Sequence, residues 1–85
     1  MAVQAAALSI AGNNFVVALV TQELVGNHGE ADMAIDTLQG GFGVPVVLVA
    51  QLDDGTPRYY GDRELVGLLK GVPLEKMPFK EYPVG

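Results

Sequence analysis

The 85-residue chain has no cysteine and no tryptophan. Without cysteine, disulfides, thiolate zinc sites and thiol catalysis are excluded. There is one histidine, His28, and one serine, Ser9. A catalytic histidine needs a nucleophile or an orienting carboxylate nearby in space, and nothing in the sequence places Ser9 near His28, so the chain has little material for nucleophilic chemistry. No Lys or Arg occurs before Arg58. Phosphate contacts need clustered cations, and a nucleic-acid partner is not expected. No apolar run approaches the roughly 18 residues of a membrane span, and no membrane association is expected. The longest runs, FVVALV (15–20) and VPVVLVA (44–50), have the length of buried strands. The first dozen residues are apolar but carry no positive charge. A secretory signal needs a positive n-region, so the expected location is cytoplasmic.

What is present suits one small folded domain. Hydrophobic residues make up 49% of the chain and charged residues 18%, which is too apolar for intrinsic disorder. A domain of this size buries only about 60% of the surface its unfolded chain exposes. With no covalent staple, stability must come from close packing or from a partner subunit.

The pattern along the chain alternates strand and helix signals. VQAAALSI (3–10) precedes a Gly12-Asn13-Asn14 turn signal, and valine-rich FVVALVTQ (15–22) follows. Val is stiff at χ1 and favours strands, so the two segments predict a β-hairpin. The rival reading makes Asn14 an N-cap and 15–25 a helix ending at Gly26. Six consecutive apolar residues give no helical stripe, which favours the strand. Asn27-His28-Gly29 reads as a loop. EADMAIDTLQ (30–39) then places Ala31, Ala34, Ile35 and Leu38 on one helical face. Gly40-Gly41 is the expected stop.

VPVVLVAQL (44–52) is apolar nearly throughout, as a strand covered on both faces would be. Asp53-Asp54-Gly55 is a hairpin turn signal, and TPRYY (56–60) is the returning strand. Asp62 caps a helix over 63–70 with Leu65, Leu68 and Leu69 as its stripe. Gly67 inside that helix costs about 1 kcal/mol relative to Ala, which suggests close packing there. The expected fold is α/β: a small two-layer sandwich with a mixed sheet, in the order β-β-α-β-β-α. Residues 1–71 form the domain and 72–85 an extended, proline-containing tail.

Residues 42–71 carry a resemblance. F-G-V-P-V-V-L-V, an Asp-Gly turn, T-P-R-Y-Y-G and a closing leucine-rich helix resemble the C-terminal half of thioredoxin-fold proteins. The resemblance implies a cis proline at Pro45 facing the ligand site. The paired redox cysteines of that family are absent, so what it implies is a redox-inactive relative or shared architecture alone.

Each chemical motif has a structural explanation that outweighs the chemical one. His28, Glu30 and Asp32 form H-x-E-x-D, whose imidazole and oxygens could hold a divalent metal, but a loop histidine beside an acidic helix start explains it. Gly40-Gly41-Phe42-Gly43 lacks the Lys-Ser/Thr of a phosphate loop. Asp53-Asp54 has too few oxygens for a calcium loop. No cofactor and no catalytic residue is expected.

The tail is the most informative stretch. Apolar-Pro-apolar recurs every five residues as Val72-Pro73-Leu74, Met77-Pro78-Phe79 and Tyr82-Pro83-Val84. Proline holds such a strip extended rather than helical. Leu74, Met77, Phe79 and Tyr82 must bury against their own domain or a partner. Tyr59 and Tyr60 are adjacent on a strand and face opposite sides. Tyr60 is therefore a further contact candidate, and Pro45 a ligand-adjacent one. Charge is split: residues before Arg58 carry six acids and no Lys or Arg, and the remainder five bases and four acids. That asymmetry suits head-to-tail contact between copies or a tail lying on its own acidic body. The expected role is a non-catalytic domain acting through protein–protein contacts, with a protein partner or as a homo-oligomer. The alternative is a peptide or small-molecule site beside Pro45.

Overall fold

Ala11 and Gly12 have φ of 51° and 79°, the geometry of a two-residue type I′ turn. They join β1 (Ala2–Ile10) to β2 (Asn13–Leu19), and Ile10 pairs with Asn13 across the turn. The turn therefore sits one residue earlier than Gly12-Asn13-Asn14. The computed structural model describes residues 2–83. Along the rest of it come α1 (Gln22–Gly26), α2 (His28–Phe42), β3 (Val46–Gln51), β4 (Pro57–Tyr60), α3 (Arg63–Leu69), a 3-10 turn at Leu74–Lys76 and β5 (Lys80–Pro83).

The five strands form one mixed sheet in the order β4-β3-β2-β1-β5. The β2–β3 pair is parallel and the other three are antiparallel. Helices α1 and α2 make the crossover that a parallel neighbour requires.

Two layers were expected, and there are three. Val16, Ala18, Val46, Leu48 and Ala50 pack under α1 and α2, against Val25, Ala31 and Leu38. Phe15, Val17, Val47 and Val49 point the other way and meet Leu65, Leu69 and Met77. Strand side chains alternate between faces, and here both sets are apolar, so each face needs its own cover. Tyr60 joins the first face and Tyr59 the second, as the alternation requires.

Three helix expectations change. The strand expected over 15–22 ends at Leu19, and Gln22 instead opens the five-residue α1, which the rival helix over 15–25 overlaps. Thr21 caps it, its hydroxyl accepting from Leu24 N at 3.2 Å. The second helix starts at His28, capped by Asn27, and runs through Gly40 and Gly41 to Phe42. It ends at Gly43, whose φ of 74° makes the left-handed cap. Phe42 stands edge-on to Tyr82 with ring centroids 5.2 Å apart, so the last helical residue is held against the tail. Gly67 has open space where a Cβ would go, so close packing does not explain it. Gly61 is the crowded one: at φ 151° its Cβ would lie 3.3 Å from Val47 Cα.

The tail belongs to the domain. Its first part turns once in a 3-10 helix, not the fully extended strip expected, and its last described part is β5. Tyr82 pairs with Val3 and Lys80 with Ala5.

Candidate functional site

Two concavities adjoin α2. One is a groove of about 750 Å³ between the start of β1, the end of β2 and the two helices. Its floor and walls include Val3, Val20, Leu24, Ala34 and Leu38, with Met33 at the rim. The local sequence explains each wall. Val25 is buried and pins α1, which leaves Leu24 half-buried on the groove side. Ala31 and Leu38 anchor α2. Met33 lies off the stripe through 31, 34, 35 and 38, and it is 70% exposed. Among the described residues, none that lines the groove has an ionisable side chain. Glu30 and Asp36 stand three positions either side of Met33, adjacent to it on the helix surface.

The other concavity is a cleft of about 660 Å³ beside Pro45, where α2, the starts of β2 and β3 and the start of α3 meet. Three carboxylates line it: Asp32, Asp62 and Glu64. Two of them have partners. Asp62 Oδ1 accepts from Glu64 N and Leu65 N as the cap of α3. Asp32 Oδ1 accepts from the Tyr60 hydroxyl at 2.8 Å. That bond to a carboxylate holds the Tyr60 pKa above its ordinary value, with burial adding to the shift. His28 stacks on Tyr60 with centroids 4.9 Å apart and planes 28° apart. Gln39 orients the floor by accepting from Val46 N through Oε1 at 3.1 Å.

The residues singled out from the sequence fall into three groups. Met77 is buried, and Leu74 and Phe79 are half-buried with it against the α3 side of the sheet. Tyr82 packs on the opposite core beside Phe42. These four are engaged by their own domain. Tyr60 and Pro45 meet in the cleft, but the Val44–Pro45 bond is trans, since the described residues contain no cis peptide. Ser9 is on β1 opposite Asn14 and does not line the cleft that His28's partner Tyr60 lines. Among the described residues no group of three or more His, Asp or Glu is arranged to hold a metal ion. No described helix is long and apolar enough to cross a membrane.

Sequence reasoning missed the groove residues Val3, Leu24 and Met33. The signal for Met33 was available, because a large apolar residue off the buried stripe of an amphipathic helix must face solvent or a partner. No family model, curated protein or solved structure shows significant similarity to the chain.

Proposed function

We propose that the chain is a non-catalytic domain that works through protein–protein contacts, and that the groove between β1, α1 and α2 is its contact surface. The observation that carries this reading is the exposed Met33 at the rim of a groove whose described lining side chains are all uncharged. Methionine adapts to irregular apolar partners. Recognition surfaces commonly combine a desolvated apolar centre with a polar rim, a role Glu30 and Asp36 fit.

The experiment compares the intact chain with Met33→Asp after purification from the native host. A defined partner retained by the first and lost by the second, with unchanged circular dichroism, supports the reading. Retention of the same partner by both variants sinks it.

A second reading uses the cleft beside Pro45. In it, a redox-inactive domain, without the cis proline that the thioredoxin resemblance implies, holds a peptide or small molecule against Tyr60 and Pro45. The stacked His28–Tyr60 pair and the surrounding carboxylates favour a cationic ligand. Tyr60→Ala abolishing binding of such a ligand, with Met33→Asp leaving it intact, separates this reading from the first.

A further inference from the structure

β5 covers only part of the β1 edge. It pairs with Ala2–Ala5 and stops there, while β1 continues to Ile10. The chain before Lys80 leaves the edge for the α3 side, where Phe79 packs. Among the described residues, no strand therefore lies beside the outer edge of β1 from Ala6 to Ile10.

The direction of its backbone groups follows from the hairpin. Ile10 and Asn13 close a two-residue turn and form a hydrogen-bonded pair. Bonded and non-bonded pairs alternate along an antiparallel ladder. Ile10, Leu8 and Ala6 thus spend their N–H and C=O groups on β2, and Ala7 and Ser9 point theirs outward. Both residues are exposed.

The remaining edges are protected. β4 has four residues and includes Pro57 and Arg58; β5 has four and includes Lys80, Glu81 and Pro83. Short length, proline and charge are the usual guards against edge pairing. The start of β3, beyond the reach of β4, is covered by the Gly61 backbone lying against Val47. Ala6–Ile10 has no proline and no charge.

We infer that this open edge pairs with the same edge of a second copy of the chain, antiparallel and centred on Leu8. In that register Ala7 faces Ser9 of the second copy, and Ser9 faces its Ala7. Outward groups meet outward groups, and four N–H···O bonds form. Leu8 meets Leu8 of the second copy at a non-bonded position, and Ala6 meets Ile10, so apolar side chains on the α3 side adjoin across the two-fold axis. Each β5 ends where the incoming strand begins, and the incoming hairpin turns away toward its own β2. The two sheets become one continuous sheet. The chain carries a net charge of −5, yet its first charged side chain is Glu23; the contact therefore opposes no like charges. A heterologous peptide would need only an extended shape, whereas a second copy also brings Leu8 against Leu8 and Ala6 against Ile10, apolar to apolar. A strand pair this short buries less than the roughly 1,200 Å² of a stable interface, so association is reversible and visible only at high concentration.

The test is sedimentation equilibrium and amide NMR on the full chain over a hundredfold dilution, with Ala7→Pro and the double variant Ala7→Lys/Ser9→Lys alongside. Ala7→Pro removes an outward donor and leaves the bonds to β2 intact. The Lys pair keeps the backbone but guards the edge as natural edges are guarded. The expected result is a concentration-dependent dimer for the parent. Its shift changes should be confined to Ala6–Ile10 and their cross-strand neighbours. Isotope-filtered contacts should appear between Hα of Leu8 in the two copies, and both variants should stay monomeric with unchanged circular dichroism. If the proline variant unfolds, the Lys variant decides alone. A parent that stays monomeric at the highest concentration overturns the inference. So does association that persists in the folded Lys variant.

Discussion

Replacing Met77 by alanine asks whether the C-terminal strip holds the domain together or only decorates it. Met77 is 6% exposed and sits in the core between the sheet and α3, with Leu65 and Leu69 in the same cluster. Removing a buried methionine side chain costs about 2–5 kcal/mol, the larger values where the cavity cannot collapse. Met77 follows a 3-10 turn outside the regular elements, where neighbours can shift, so a loss of about 2–3 kcal/mol is expected. An 85-residue domain has about 4–13 kcal/mol to lose. The variant should therefore remain folded at room temperature but melt about 8–24 °C lower, at roughly 4–8 °C per kcal/mol for a domain of this size. Urea unfolding followed by circular dichroism gives the free energy directly, and an unchanged m-value confirms that the unfolding unit is the same. Glu75→Ala, two residues away and exposed, is the control and should stay within about 0.5 kcal/mol of the parent. A Met77→Ala midpoint indistinguishable from the control would refute the assignment of the strip to the core. It would also restore Leu74, Met77 and Phe79 as residues free to meet a partner.

Gly67→Ala should stabilise α3 by about 0.5–1 kcal/mol, because its Cβ meets open space. Gly61→Ala should destabilise by about 1–3 kcal/mol, because φ is 151° and Val47 blocks the Cβ; urea midpoints moving in opposite directions check both. Asp32→Asn should lower the pKa at which Tyr60 ionises, read by ultraviolet titration, since the carboxylate partner is the main cause of the raised value. The sign for stability follows: a raised folded-state pKa gives stabilisation that is present below the ordinary tyrosine pKa and lost as pH climbs through the folded one. Tyr60→Phe should remove that alkaline component. Truncation after Phe79 removes β5 and bares the β1 edge at Ala2–Ala5 as well, so any folded product should associate more strongly than the parent.

Local chemistry explains what the sequence shows correctly. The two hairpins announce themselves through Gly12 and Asp54-Gly55, residues that accept the backbone a tight turn needs. Asp62 marks the start of α3 because a carboxylate there satisfies free N–H groups, and it does so for Glu64 and Leu65. The tyrosine pair divides between faces by strand geometry alone. The misreadings also have local causes. Thr21 and Glu23 carry a cap and an acidic first turn, but the valine run before them drew the strand onward. Gly40-Gly41 resembled a stop because glycine weakens a helix. Glycine ends a helix by entering the left-handed region, however, and among these residues Gly43 is the one that does.

What could not be read depends on residues far apart in sequence. The cleft exists because Tyr60 on β4 reaches Asp32 on α2. The destination of the tail depends on β1, at the opposite end of the chain. A repeated apolar-proline pattern says that side chains must be buried; it does not say against what. The same separation hides the open edge. Nothing in AALSI (6–10) distinguishes a covered strand from a bare one. The distinction comes from β5 having four residues against the nine of β1, and from Pro78 and Phe79 leading the chain off the edge before it can extend the ladder. Proline and charge guard the neighbouring edges where a strand is exposed along its length. Their absence from Ala6–Ile10 therefore acquires meaning only once the sheet order is known. An unguarded edge in a folded chain either risks indiscriminate pairing or is matched to a particular strand, and the apolar match of Ala6, Leu8 and Ile10 with their own copies favours the second.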